Sequence, residues 1–215
     1  IRDSYKPSAK SLIFIFILLG GAWILYPFFV PYQRGVSLIG MGASFPYPLI
    51  TRWIHEFYAE YPNITVEYIA VGSGGGIRAI LDGTVDFAGS DAPLNSDEYN
   101  RAKKLGTVLH IPETLGAIAI TYNLPNIKGR LKLSGEVLAG IYLGEIAYWN
   151  DSRIQNLNPD LDLPPEPIYV VKRADGSGTT YIFTDYLCSV SDEWKTLVGR
   201  TKIFSFSDNI GARGI

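Results

Sequence analysis

The stretch Val66-Glu67-Tyr68-Ile69-Ala70-Val71, followed by Gly72-Ser73-Gly74-Gly75-Gly76 and Ile77-Arg78-Ala79-Ile80-Leu81, decides the fold class. Val66 to Val71 alternates as a strand does, the glycines make a turn, and Ile77 to Leu81 starts a helix that Asp82-Gly83 closes. Val85 to Ala88 then reads as a third short buried strand ending at Ser90-Asp91. Upstream, Val36 to Ile39 is a strand feeding a glycine turn at Gly40–Gly42. Pro48 to Tyr61 has helical spacing, with Leu49, Trp53, Phe57 and Tyr61 close to one stripe. Strand, glycine turn, helix, strand is the pattern of an open α/β sheet. Downstream, Ala117 to Tyr122 reads as a buried strand at the passage into a second lobe. Ser134 to Tyr142 is a short helix with Ser134 as N-cap and Glu136 in its first turn. The Pro- and Asp-rich segment from Asn156 to Pro167 is a loop, Ile168 to Val171 a strand, and Tyr181 to Leu187 a helix.

Ligands of open α/β sheets bind beyond the carboxyl ends of the strands. Three polar segments fall there: Gly40-Met41-Gly42-Ala43-Ser44-Phe45-Pro46, Gly72–Gly76 and Ser90-Asp91-Ala92-Pro93. A fourth, Arg173-Ala174-Asp175-Gly176-Ser177-Gly178-Thr179, sets one cation, two hydroxyls and glycine-exposed amides within seven residues. An anion held away from water needs such a set, because each of its oxygens must regain the hydrogen bonds water gave it. Together the four segments point to a protein that binds a small tetrahedral anion.

The chain has 215 residues and a formal charge of −2, from 19 basic and 21 acidic side chains. Such a balance argues against nucleic acid as a partner. The single cysteine, Cys188, excludes an intrachain disulfide and reads as a small buried hydrophobe. His55 and His110 lack ligand spacing, so neither a metal nor another cofactor is implied. Nor is an activated nucleophile evident: Gly176-Ser177-Gly178 lacks the spacing of a nucleophile elbow, and the chain does not read as an enzyme. Asn63-Ile64-Thr65 and Asn150-Asp151-Ser152 fit the glycosylation sequon.

Leu12 to Val30 is an apolar run without a charge, of the length a helix needs to cross a bilayer. Arg2, Lys6 and Lys10 precede it and Arg34 alone follows closely, which leaves the N-terminus cytoplasmic and the globular part outside. A cleaved signal peptide is the competing reading, but no A-x-A-like site follows the run. The expected organisation is a stub, anchor and connector over 1–35, a first lobe over 36–115 and a second lobe over 116–215.

The four segments, together with Val85-Asp86-Phe87-Ala88-Gly89, Ile141–Ile146, Trp149-Asn150-Asp151 and Phe183–Leu187, resemble the phosphate-binding receptors of the high-affinity phosphate ABC transporter. The resemblance runs from about Ser37 to about Gly199 in consistent order. It implies a two-lobed, hinge-closing periplasmic-binding-protein fold that holds dehydrated inorganic phosphate between its lobes. By resemblance, Ser44 and Phe45 give a hydroxyl and backbone N–H contacts, Ser73 a hydroxyl and Asp91 an acceptor carboxylate. Arg173, Ser177, Gly178 and Thr179 form the facing clamp, with Asp175 orienting Arg173. An acceptor carboxylate suits phosphate, which keeps a proton at neutral pH, and repels sulfate, which does not.

Two departures from the family pattern are the apparent anchor and a chain that stops at Ile215, short of a complete second lobe. The leading expectation is a single-pass, membrane-anchored extracytoplasmic receptor delivering phosphate to an ABC permease. The rival is a structural or accessory subunit of a larger membrane complex that inherited the fold.

Overall fold

The structure, a computed structural model, describes residues 35–205 and the backbone of 210–212. These belong, apart from Gly35 and Val36, to a unit running from Ser37 to Ile215. The apolar run 12–30 lies outside the described residues. Among the described residues no helix is long and apolar enough to cross a membrane.

A three-stranded sheet of order β2-β1-β3 organises the first region. It comprises β1 (Val36–Gly42), β2 (Ile64–Ala70) and β3 (Phe87–Gly89), with β1 and β3 parallel and Met41 opposite Ala88. Asp86 locks that register: its carboxylate accepts from Ile39 N at 2.8 Å, and its own N–H donates to the Ile39 carbonyl at 2.8 Å. Helix α1 (Tyr47–Glu60) links β1 to β2, and α2 (Ser73–Leu81) links β2 to β3. The expected glycine turn is shorter than its sequence suggests, because Ser73–Gly76 already form the first turn of α2. Only Gly72 stays outside, with φ near +80°, a value an L side chain resists. Helix α3 (Ser96–Leu105) is an element that the apolar pattern does not announce. Its signal is the capping box in Asn95-Ser96-Asp97-Glu98, where the Asn95 side chain accepts from Glu98 N and the Glu98 carboxylate from Asn95 N.

The expected strand at Ala117–Tyr122 is not a strand. Residues 109–123 are exposed throughout and lie in no ladder among the described residues. Apolar alternation makes a strand only where a neighbour offers backbone partners, and none of the described strands does so here.

Beyond it lie α4 (Gly135–Leu143), α5 (Ser152–Gln155), β4 (Val171–Arg173), α6 (Gly178–Val190), α7 (Asp192–Leu197) and β5 (Ile210–Ala212). Strands β4 and β5 pair in parallel, Val171 opposite Ile210. Ser134 caps α4 as expected, accepting from Val137 N at 3.2 Å. Strand β4 starts later than the apolar pattern suggested; Ile168 instead donates its N–H to the Ala147 carbonyl.

Two apolar clusters fill this second region. One gathers Leu131, Val137, Ile141, Ile146, Ile154 and Leu163; the other joins Leu138, Leu187, Trp194 and Phe204. Cys188, expected to be buried, is only half-buried beside the second cluster. The predicted loop from Asn156 is pinned by buried Asn158, which accepts from Lys132 N at 2.7 Å and donates to the carbonyls of Lys132 and Ile154.

Candidate anion site

The sequence-predicted residues come together where the first residues of α2 and α6 meet. Ser73, at the start of α2, is 1% exposed. Its hydroxyl accepts from Asp91 N at 3.1 Å and donates to Asp91 Oδ2 at 3.4 Å. Gly178, at the start of α6, lies against this pair. A Cβ there would collide with the Ser73 hydroxyl and come within 2.5 Å of Asp91 Cβ. No other residue type permits so close an approach. One residue after Ser73, Gly74 N donates to the Gly176 carbonyl at 2.7 Å, so an amide that α2 cannot satisfy internally is met from the opposite segment.

Asp175 holds Arg173 through both carboxylate oxygens, at 2.7 Å from Nε and 2.5 Å from a terminal nitrogen. The pairing uses two of the five guanidinium N–H donors. The guanidinium stands beside Gly72, at the N-cap of α2. Ser177 is 1% exposed and caps α6, its Oγ accepting from Thr180 N at 3.3 Å while its own N–H donates to the Lys202 carbonyl at 3.0 Å. A hydroxyl that accepts for a cap keeps its hydrogen to donate.

Ser44, Phe45 and Thr179 are less closely drawn in. Ser44 is half-buried just past β1, and Ala43 N donates to the Gly89 carbonyl at 2.9 Å, which sets that strand end beside the one leading to Asp91. Phe45 is half-exposed, with its ring over Gly116. Thr179 is half-buried in the first turn of α6. No hydrogen bond joins these three to the cluster among the described residues.

Electrostatically the cluster is unusual. Each helix N-terminus carries about half a positive charge, and two of them meet here beside Arg173. The carboxylate of Asp91 sits among these groups, its pKa raised by burial although Ser73 and Arg173 pull it back down. Nearby, Tyr68 donates to the Ala43 carbonyl at 2.9 Å, and burial holds its hydroxyl far above the usual phenol range.

A cavity of about 670 Å³ lies elsewhere, between α4 and α7. Its charged lining is Glu136, Glu145, Asp192 and Glu193 against Arg153. That excess of carboxylates suits no anion.

Residues 32–202 match the model of a PBP superfamily domain. The chain belongs to that superfamily. It is 42% identical over 186 residues to the phosphate-binding protein PstS of Haemophilus influenzae, covering 86% of this chain and 54% of the relative. To the phosphate-binding protein PstS of Methanocaldococcus jannaschii it is 44% identical over 179 residues, covering 81% and 46%. The chain therefore spans about half the length of the curated relatives it matches. Among solved structures, an ABC-type phosphate transport receptor from Vibrio cholerae aligns with a TM-score of 0.42 at 18% identity, over 71% of this chain and 55% of that one. The motif resemblance and the relatives thus lead to the same family.

Proposed function

We propose that this chain carries the anion site of an extracytoplasmic receptor that binds inorganic phosphate for an ABC transporter. One observation carries the reading: the N-termini of α2 and α6 meet at Ser73 and Gly178, with Arg173 held alongside by Asp175. Two positive helix ends repel each other when brought together, and an oxyanion between them turns that repulsion into attraction. Ser44, Phe45, Ser73, Arg173, Ser177, Gly178 and Thr179 are the proposed donors, and Asp91 the proposed acceptor. Asp91 then selects a ligand that still carries a proton, because a fully ionised sulfate would set lone pairs against lone pairs. Ser73 turns its hydroxyl hydrogen from Asp91 to the ligand as phosphate arrives.

The names of the relatives support phosphate as the ligand. Binding rather than catalysis fits the same names. The two regions, 36–115 and 116–215, act as lobes that close on the anion and release it to a permease. The apolar run 12–30 serves as a single-pass anchor, which keeps the receptor at high effective concentration near its transporter. A second reading, an accessory subunit of a membrane complex, draws on the exposed apolar side chains of Trp53, Phe57, Leu109, Ile111 and Leu115.

Isothermal titration of phosphate and then sulfate into the anion-stripped chain tests the proposal. Tight uptake of phosphate alone is the expected result. A folded chain that takes up neither anion favours the accessory subunit.

A further inference from the structure

Lys202 and Glu98 lie 104 residues apart, yet the Lys202 ammonium contacts both carboxylate oxygens of Glu98, at 2.8 and 2.9 Å. The side chains are only 14% and 21% exposed, the least of any ion pair among the described residues, Arg173–Asp175 being next at 22% and 20%. Both ends are built on the segments that form the anion site. Glu98 belongs to the capping box of α3, seven positions after Asp91, and its carboxylate also accepts from Asn95 N at 2.8 Å. Lys202 accepts at its carbonyl from Ser177 N, the N-cap of α6. The neighbouring Thr201 is fastened to α6 twice through the fully buried Thr184, its N–H donating to Thr184 Oγ1 at 3.0 Å and its carbonyl accepting at 2.9 Å.

Exposed ion pairs contribute little, largely because two mobile side chains must be ordered to form them. Here the backbone of each partner is fixed by its own hydrogen bonds, and the pair is shielded. The contact forms only while the Asp91–α3 segment and the Ser177–Lys202 segment are side by side. We propose that Lys202–Glu98 is a latch that favours the closed arrangement of the anion site and lengthens the residence of the bound anion. The residence effect rests on the phosphate reading above; the contact itself does not.

Two measurements on the full chain test the latch separately from that reading. Zero-length carbodiimide coupling, read by peptide mass spectrometry, should join Lys202 to Glu98, with a yield that rises when inorganic phosphate is added. Stopped-flow dissociation of phosphate should be about tenfold faster in Lys202→Met and in Glu98→Gln, with the phosphate-to-sulfate affinity ratio unchanged. Glutamine retains an oxygen to accept from Asn95 N, so α3 keeps its cap, and circular dichroism verifies that both variants are folded. Lys202→Arg, which restores the charge, should return the rate to near the original. The latch is overturned by an absent cross-link, or by an unchanged dissociation rate in both variants. A cross-link in a chain that takes up no phosphate would support the contact and overturn the phosphate reading instead.

Discussion

The two regions either side of the connecting segment 107–123 bury their apolar side chains very differently. In residues 124–204, Ile154, Leu187 and Trp194 are fully buried within two clusters that join helices and loops. In residues 36–105, α1 buries only Ile50 and α3 buries nothing, while Trp53, Phe57 and Tyr61 stay between 38% and 46% exposed. Yet both regions supply residues of the proposed anion site: Ser73 and Asp91 from the first, Arg173 to Gly178 from the second. Precise placement of polar groups therefore does not require a deep core on both sides. In the first region it rests on the sheet register set by Asp86 and on the glycine contacts with the opposite segment.

The largest expected effect lies in the better-packed region. Leu187→Ala empties a fully buried site and should cost about 3–4 kcal/mol of unfolding free energy. Trp53→Ala on α1, though it removes a larger side chain, should cost less than about 1 kcal/mol, because almost half of that residue already faces solvent. Urea denaturation of both variants measures the contrast. Equal losses would mean that α1 is covered in solution by something further.

The contact between the regions can be broken without touching either core. Gly178→Ala drives a Cβ into Ser73 and Asp91, whose positions are fixed by their mutual hydrogen bonds. The segments must then separate by a fraction of an ångström or more, and misplacement on the order of 1 Å can weaken an oriented site about 100-fold. Phosphate affinity should fall by that order while the urea midpoint moves little. A binding-competent Gly178→Ala would remove Gly178 from the site.

What could be read from the sequence follows the same division between local and distant causes. The Ser134 cap and the strand at Val66–Val71 depend on residues within a few positions, and local pattern reveals those; the role of Asp175 beside Arg173 comes from the family resemblance. The capping box at Asn95–Glu98 is equally local, but Ser96–Leu105 has only Tyr99, Ala102 and Leu105 as apolar residues, too polar a segment for an apolar stripe to announce a helix. The segment Ala117–Tyr122 failed for the opposite reason: its apolar alternation is strand-like, but pairing depends on a neighbour that the segment does not specify. The contacts Gly74–Gly176 and Lys202–Glu98 join residues about a hundred positions apart, so neither spacing nor composition could suggest them. Motifs pointed to the candidate anion-site residues but could not show that Ser177 Oγ accepts for a helix cap.

Capping residues sharpen the comparison at smaller magnitude. Ser134→Ala removes the cap of α4, whose middle is buried from Val137 to Ile141, and should cost about 1 kcal/mol of global stability. Asn95→Ala removes an equally well-formed cap from α3, which has no buried residue. Loss there should fray the helix locally and appear as faster amide exchange over Ser96–Leu105, with a smaller shift in global unfolding. If both variants lose the same global stability, the two regions unfold as a single cooperative unit.

The smallest effect is expected at Asp91, and it runs in the opposite direction. Burial raises its folded-state pKa above the ordinary 3.8, so the folded chain holds that proton more tightly than the unfolded chain. Stability from this group is fully present below the unfolded value and is lost as pH rises through the folded one. At neutral pH the ionised Asp91 is thus a slight burden on the anion-free protein. Asp91→Asn lifts it while keeping an oxygen that can accept from Ser73. The variant should melt slightly higher than the parent at neutral pH, with the difference shrinking towards about pH 4, near the carboxylate's unperturbed range. Its preference for phosphate over sulfate should weaken at the same time. A lower melting temperature at neutral pH would show that the carboxylate is held by attraction to Arg173 and the two helix ends more strongly than burial opposes it, and would move Asp91 from a ligand acceptor towards a structural counter-charge.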